Sequence, residues 1–102
     1  MARFDVCRNP RSSASVPYLL VLQHELFDGL PTCLVAPLVR SGTIKRPLEG
    51  LNPVFDFGGD RLVLMVPEMA GVSRRDLGPV VGSLAHAGPE ILLAVDFLLS
   101  GG

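Results

Sequence analysis

Two imidazoles and one nearby hydroxyl are the first side chains to weigh for chemistry. His24 and His86 are the only histidines among the 102 residues, and no i, i+4 pair offers two ring nitrogens to zinc from one helix face. Ser83 lies three residues before His86, so one turn could bring hydroxyl and base together. Nucleophilic catalysis also needs a third group to orient the base and donors for an oxyanion, and the neighbouring sequence names neither. Gly58-Gly59-Asp60 lacks the Lys-Ser/Thr that follows the glycines of a phosphate loop; it reads as a turn, with Asp56 and Asp60 as solvated acids beside it. Cys7 and Cys33 are far apart in strand-like runs and read as buried reduced thiols. No catalytic residue, metal site or cofactor site is expected. The chain reads as a protein that works by binding rather than as an enzyme.

The elements that would position such a binding surface follow from periodicity and turn chemistry. Arg3 to Arg8 alternates, with Phe4 and Val6 on one face, as in a half-buried strand. Asn9 to Ser15 is dense in turn residues and reads as a flexible loop. Tyr18 to Gln23 is a second strand, and a turn at Asp28-Gly29 leads to a third over Thr32 to Val39. Pro37 cannot donate to a ladder, which predicts an edge strand or a bulge there. Ser41 to Gly50 is a polar excursion. Val54 to Phe57 and Asp60 to Val66 flank Gly58-Gly59, the pair that accepts positive φ at both positions of a tight hairpin turn. Met69 to Gly78 reads as turns with one short helical turn after Ser73, and Val80 to Leu84 as a last strand.

The chain is long enough for one domain over residues 1–102, and 48% of it is hydrophobic, so a core is available without disulfides or metals. The net charge of −1 argues against an electrostatically driven nucleic-acid binder. Arg8 and Arg11, Lys45 and Arg46, and Arg74 and Arg75 read as solvated loop charge. Arg3 and Asp5 stand where a secretion signal would carry an apolar run, which favours a cytoplasmic protein.

The last element is the unusual one. Pro89 and Glu90 suit a helix start, and Ile91, Leu92, Val95, Leu98 and Leu99 form a broad apolar arc. Leu93 and Phe97 lie opposite, leaving Asp96 and Ser100 as a narrow polar strip. The run is about half the length a bilayer span needs. A stripe this wide predicts burial on two sides, one against the domain's own sheet and one against a partner. Gly101 and Gly102 have no side chain to anchor, which predicts a frayed end.

Several short strands followed by one helix make the expected fold mainly β with a C-terminal α-helix, and the landmarks come in a recognisable order. Ala36-Pro37-Leu38 resembles the Ile-Pro-Leu strand of the CcdB family. Leu51 to Asp60 is similar to its Leu-Tyr-Pro-Val…Gly-Asp hairpin, and Glu68 to Val72 to its Asp-Met-Ala-Ser-Val segment. Leu84, His86 and the apolar helix match its Leu-Ser-His-plus-helix ending. The resemblance spans nearly the whole chain. It implies an SH3-like barrel of the CcdB/MazF type, and a homodimer with the terminal helices side by side, Val95, Leu98 and Leu99 at the contact.

As to activity, the resemblance implies a toxin of a toxin–antitoxin pair that poisons the gyrase A subunit and is stripped away by a cognate, disordered antitoxin. The family's Ile-Ile-Asp loop corresponds to Leu26, Phe27 and Asp28, its helix Asn to Asp96, and its Phe near the end to Leu99. Its closing Trp-Gly-Ile becomes Ser100, Gly101 and Gly102, which implies weakened poisoning. The alternatives are a MazF-like endoribonuclease, which would need a basic RNA groove, and a non-poisoning, antitoxin-binding co-repressor of transcription.

Overall fold

Gly58 and Gly59 both take positive φ, +59° and +83°, the conformation a two-residue hairpin loop requires. They join β4 (Val54–Phe57) to β5 (Asp60–Leu64), paired from Phe57↔Asp60 to Val54↔Val63. This computed structural model describes residues 1–11, 14–44 and 46–101. Its other strands are β1 (Asp5–Arg8), β2 (Tyr18–Val21), β3 (Thr32–Arg40), β6 (Ala70–Ser73) and β7 (Val80–Ser83), and α1 runs from Gly88 to Ser100. Every pairing is antiparallel, in the order β4-β5-β3-β2-β1-β7, with β6 also on β3.

β3 is the middle of the sheet rather than an edge, which corrects the expectation drawn from Pro37. One side of β3 bonds β2 over Val35–Leu38; the other bonds β6 with Thr32–Val35 and β5 with Leu38–Arg40. Pro37 falls in the gap where one partner hands over to the other. Its carbonyl accepts from Met65 N at 3.0 Å, so its nitrogen faces the same side, where no ladder donor is called for. β6 was expected as turns; four small or β-branched residues become a strand because β3 offers an unpaired edge to them.

The sheet curls into a half-barrel. Its inner face buries Val6, Leu20, Ala36, Leu38, Leu62 and Leu64, and α1 closes this core with Ile91 and Ala94. The alternate residues Cys7, Val21, Cys33 and Val35 form a second cluster on the other face, covered by Met1, Leu19, Val72 and Leu77. Strands β1 to β3 are thus covered on both faces, which explains their runs of consecutive apolar residues. Cys7 and Cys33 are buried free thiols. Burial pushes both above the ordinary thiol value, with the Asp5 carboxylate adding to the rise at Cys7.

Two close approaches set the curl. Phe57, at the end of β4, packs edge-on to Tyr18 with ring centroids 5.2 Å apart, and its ring rests on Gly82 in β7. A Cβ at Gly82 would come within 2.4 Å of that ring. The outermost strands β4 and β7 are therefore brought together by a side chain seated on a bare backbone. At the other end Phe4 holds a left-handed φ of 73°, uncommon for a bulky residue. Its N–H donates to Val21 O at 2.7 Å and its carbonyl accepts from Leu84 N at 2.9 Å. Its ring lies over Gly88, where a Cβ would meet it at 2.8 Å, which admits the first turn of α1 close to the sheet.

Candidate functional site

Two of the three side chains first considered for catalysis, His24 and Ser83, serve local structure. His24 Nδ1 accepts from Leu26 N at 3.0 Å and starts the short 3-10 turn Glu25–Phe27. Ser83 Oγ accepts from Ala85 N at 3.0 Å, at the start of the turn that carries His86. Asp60 pairs with Arg40 at 3.1 Å and Asp56 with Arg61 at 3.5 Å. Among the described residues no three His, Cys, Asp or Glu side chains gather to hold a metal, and no helix is long and apolar enough to cross a membrane.

What the fold does present is apolar surface. Leu26 is 77% exposed, and Phe27 and Leu30 are about half exposed, all on the β2–β3 connection. On α1, Leu93 and Leu99 are 70% and 73% exposed, and Leu92, Phe97 and Leu98 are also open. Only Gly88, Ile91 and Ala94 of the helix are buried, with Val95 packed at the margin of the core. The helix is therefore covered on one narrow side, and most of its apolar arc faces outward. Large apolar side chains that cannot find cover within a chain are the usual mark of an interaction surface.

The β2–β3 connection is held by polar bonds. Asp28 accepts from the Met1 ammonium at 2.7 Å and from Arg74 Nη1 at 2.9 Å. The ammonium's hydrogen bond, then the charges of the ammonium and Arg74, hold its carboxyl below the usual range. Glu25 is held low as well, chiefly because it accepts from the Arg3 backbone N–H at 3.1 Å.

Asp96 lies beside a groove of about 420 Å³ between α1 and the segment before β4, lined by Glu49, Gly50, Leu93, Asp96 and Phe97. Gly50, at φ +84°, sits so near the Phe97 ring that a Cβ would touch it at 3.3 Å. Asn52 anchors this wall: its Oδ1 accepts from Leu48 N at 2.9 Å while its Nδ2 donates to Leu64 O at 3.3 Å. The helix then stops cleanly. Ser100 Oγ donates to Asp96 O at 2.7 Å, and Gly101, at φ +77°, donates its N–H to Phe97 O at 2.8 Å. That is a glycine helix cap, so the glycine expected to fray is, at position 101, the terminator of the helix.

The residues named from the sequence thus fall on two elements. Leu26, Phe27 and Asp28 lie on the β2–β3 connection; Val95, Asp96, Leu98, Leu99, Ser100 and Gly101 lie on the last turns of α1 and its cap. Gly102 lies outside the described residues, as does Lys45. The sequence reading missed Asn52 and Arg74. Arg74 is a correction: it read as solvated loop charge, yet its side chain is only 23% exposed and turns inward onto the 27–30 backbone. No local signal distinguishes it from Arg75, because its acceptors lie more than forty residues earlier.

A search of curated proteins finds no match. The family model described as CcdB protein matches residues 3–101, which takes in every strand and all of α1. A curled antiparallel sheet closed by a terminal helix agrees with that match. The chain belongs to the CcdB family, the gyrase-directed toxins of toxin–antitoxin modules.

Proposed function

We propose that this chain is the toxin of a type II module, active as a homodimer, which grips the gyrase A subunit through Leu26, Phe27, Asp28 and the end of α1 and is released by its cognate antitoxin. It acts in the cytoplasm by binding and not by catalysis. The observation that carries the reading is where the apolar surface lies. Apart from Leu48, Val80 and Val81, the exposed large apolar side chains are on the β2–β3 connection or on α1, the two elements the family resemblance assigns to partners. Val95, Leu98 and Leu99 serve the two-fold contact, and Asp96, Leu99, Ser100, Gly101 and Gly102 the gyrase contact. An interface shared by two copies of one helix is self-complementary, the commonest route to an oligomer.

The ending tunes the strength of that grip. Ser100 and Gly101 offer no aromatic anchor, the kind of residue that dominates interface energetics. Replacing Ser100→Trp and Gly102→Ile is expected to tighten binding to the gyrase A dimerisation fragment by about 2 kcal/mol, roughly 30-fold. Titration calorimetry of both proteins measures it. Nanomolar binding by the unaltered chain, or no gain from the double substitution, would remove the terminal residues from the recognition surface. Cleavage of RNA by the pure protein would move the assignment to the endoribonuclease branch.

A further inference from the structure

Leu26 and Phe27 pose a mechanical question: none of the residues from His24 to Leu30 is buried, so packing does not hold them in place. Backbone bonds within the turn, from Phe27 N to His24 O and from Asp28 N to Glu25 O, both at 3.0 Å, set its local shape but not its direction. What fixes the turn to the rest of the fold is the Met1 ammonium on Asp28, the Arg3 N–H on Glu25 and two side chains, Gln23 and Arg74. Gln23 Nε2 donates to the carbonyls of Phe27 and Thr32, both at 3.2 Å. Arg74 reaches from the end of β6 with three separate bonds. Its Nε donates to Leu30 O at 2.5 Å, Nη1 to Asp28 Oδ1 at 2.9 Å and Nη2 to Phe27 O at 3.3 Å.

The base of Arg74 is itself rigid. Ser73 pairs with Thr32 across the β3–β6 ladder, Arg74 N donates to Pro31 O at 3.2 Å, and Ser73 Oγ accepts from Arg75 N. One planar fork, mounted on a paired strand, therefore grips both sides of Gly29. A guanidinium suits this because its donors are fixed in one plane, whereas an ammonium is a point charge on a flexible stem.

We propose that Arg74 is the positioning residue of the partner-binding surface: its fork holds the β2–β3 connection so that Leu26 and Phe27 stand out from the sheet before any partner arrives. This rests on the reading of that connection as a gyrase contact. Preorganising a loop removes the cost of ordering it on binding, so loss of the fork lowers affinity although the side chains of Leu26 and Phe27 are unchanged.

The test uses the full chain and its Arg74→Ala and Arg74→Lys variants. In the free protein, Arg74→Ala is expected to speed amide exchange at Phe27, Asp28 and Leu30 while the ladders of β1, β2 and β5 keep their protection. Unchanged exchange at those three amides would overturn the proposal. Calorimetry against the gyrase A dimerisation fragment is expected to show binding weakened about ten- to a hundredfold by Arg74→Ala, with Arg74→Lys recovering only part. Binding equal to the unaltered chain in Arg74→Ala, or full recovery with lysine, would overturn it too. If the unaltered chain does not bind the fragment, the gyrase reading fails by itself, and the exchange result alone decides for or against the fork.

Discussion

Leu99→Lys separates the two sides of the helix from each other. Leu99 lies on the last turn of α1 and is 73% exposed in the single chain, so its side chain adds little to the core. A cation near a helix C-terminus is favourable to the helix dipole, so the substitution leaves the helix no weaker. Fully burying a leucine is worth about 1.5–3 kcal/mol, and about three-quarters of that remains available to a partner surface. A two-fold contact counts the loss twice, giving about 2–4 kcal/mol per dimer. That corresponds to roughly 30- to 700-fold weaker self-association, before the added cost of placing two ammonium groups near the axis. Sedimentation velocity across a concentration series measures the shift, with circular dichroism and a melting curve confirming that the fold is intact. An unaltered chain that sediments as a monomer at about ten micromolar would refute the reasoning. So would a Leu99→Lys protein that remains folded and fully dimeric.

Gly82→Ala puts a methyl group where the Phe57 ring lies 2.4 Å away; overpacking of this kind costs about 1–3 kcal/mol, and chemical denaturation is expected to show it, with Gly29→Ala, which meets nothing, as the neutral control. In acid, the folded chain holds the carboxyls of Asp28 and Glu25 below their ordinary values of 3.8 and 4.5. Their contribution to stability is fully present above those values and is lost as pH falls through the lower, folded ones. Asp28→Asn is therefore expected to flatten the acid limb of a stability-against-pH curve below about pH 4; an unchanged limb would exclude Asp28 as a source of it.

Much of the scaffold can be read along the chain because its signals are local. The Gly58-Gly59 pair dictates a hairpin whatever surrounds it, and Pro89-Glu90 marks the first turn of a helix that runs from Gly88 to Ser100. The features that escaped are those decided by distant partners. Ala70 to Ser73 has too little hydrophobic pattern to announce a strand, and becomes one only against Thr32–Val35. Pro37 argues for an edge if each strand is taken to have one neighbour per side, yet β3 has two on the same side. The width of the apolar arc on α1 predicts cover on two sides, and within the chain the sheet covers one of them, with Ile91 and Ala94 buried; greasiness can be counted without knowing the fold. That Arg74 would steer Phe27 could not be counted in that way, since a guanidinium in a polar loop looks the same whether it meets water or three oxygens.

The way the sheet curls also sets a timetable for its birth. β1 meets β2 early, but its other neighbour is β7, with Asp5 opposite Ser83, and Phe57 has no seat until Gly82 exists. Synthesis proceeds at about 5–20 residues per second, so for several seconds the growing polypeptide carries Leu20, Leu38 and Leu62 on a sheet with no lid. Non-local pairings of this kind are slow to form even once the chain is free. The helix that bears Leu93, Leu99 and three further exposed apolar side chains is the last element to be made, and it can dock only on a sheet that is already rolled. A chain that stops short of Gly88 therefore lacks both the cover that Ile91 and Ala94 give the core and the outward apolar side chains of the helix.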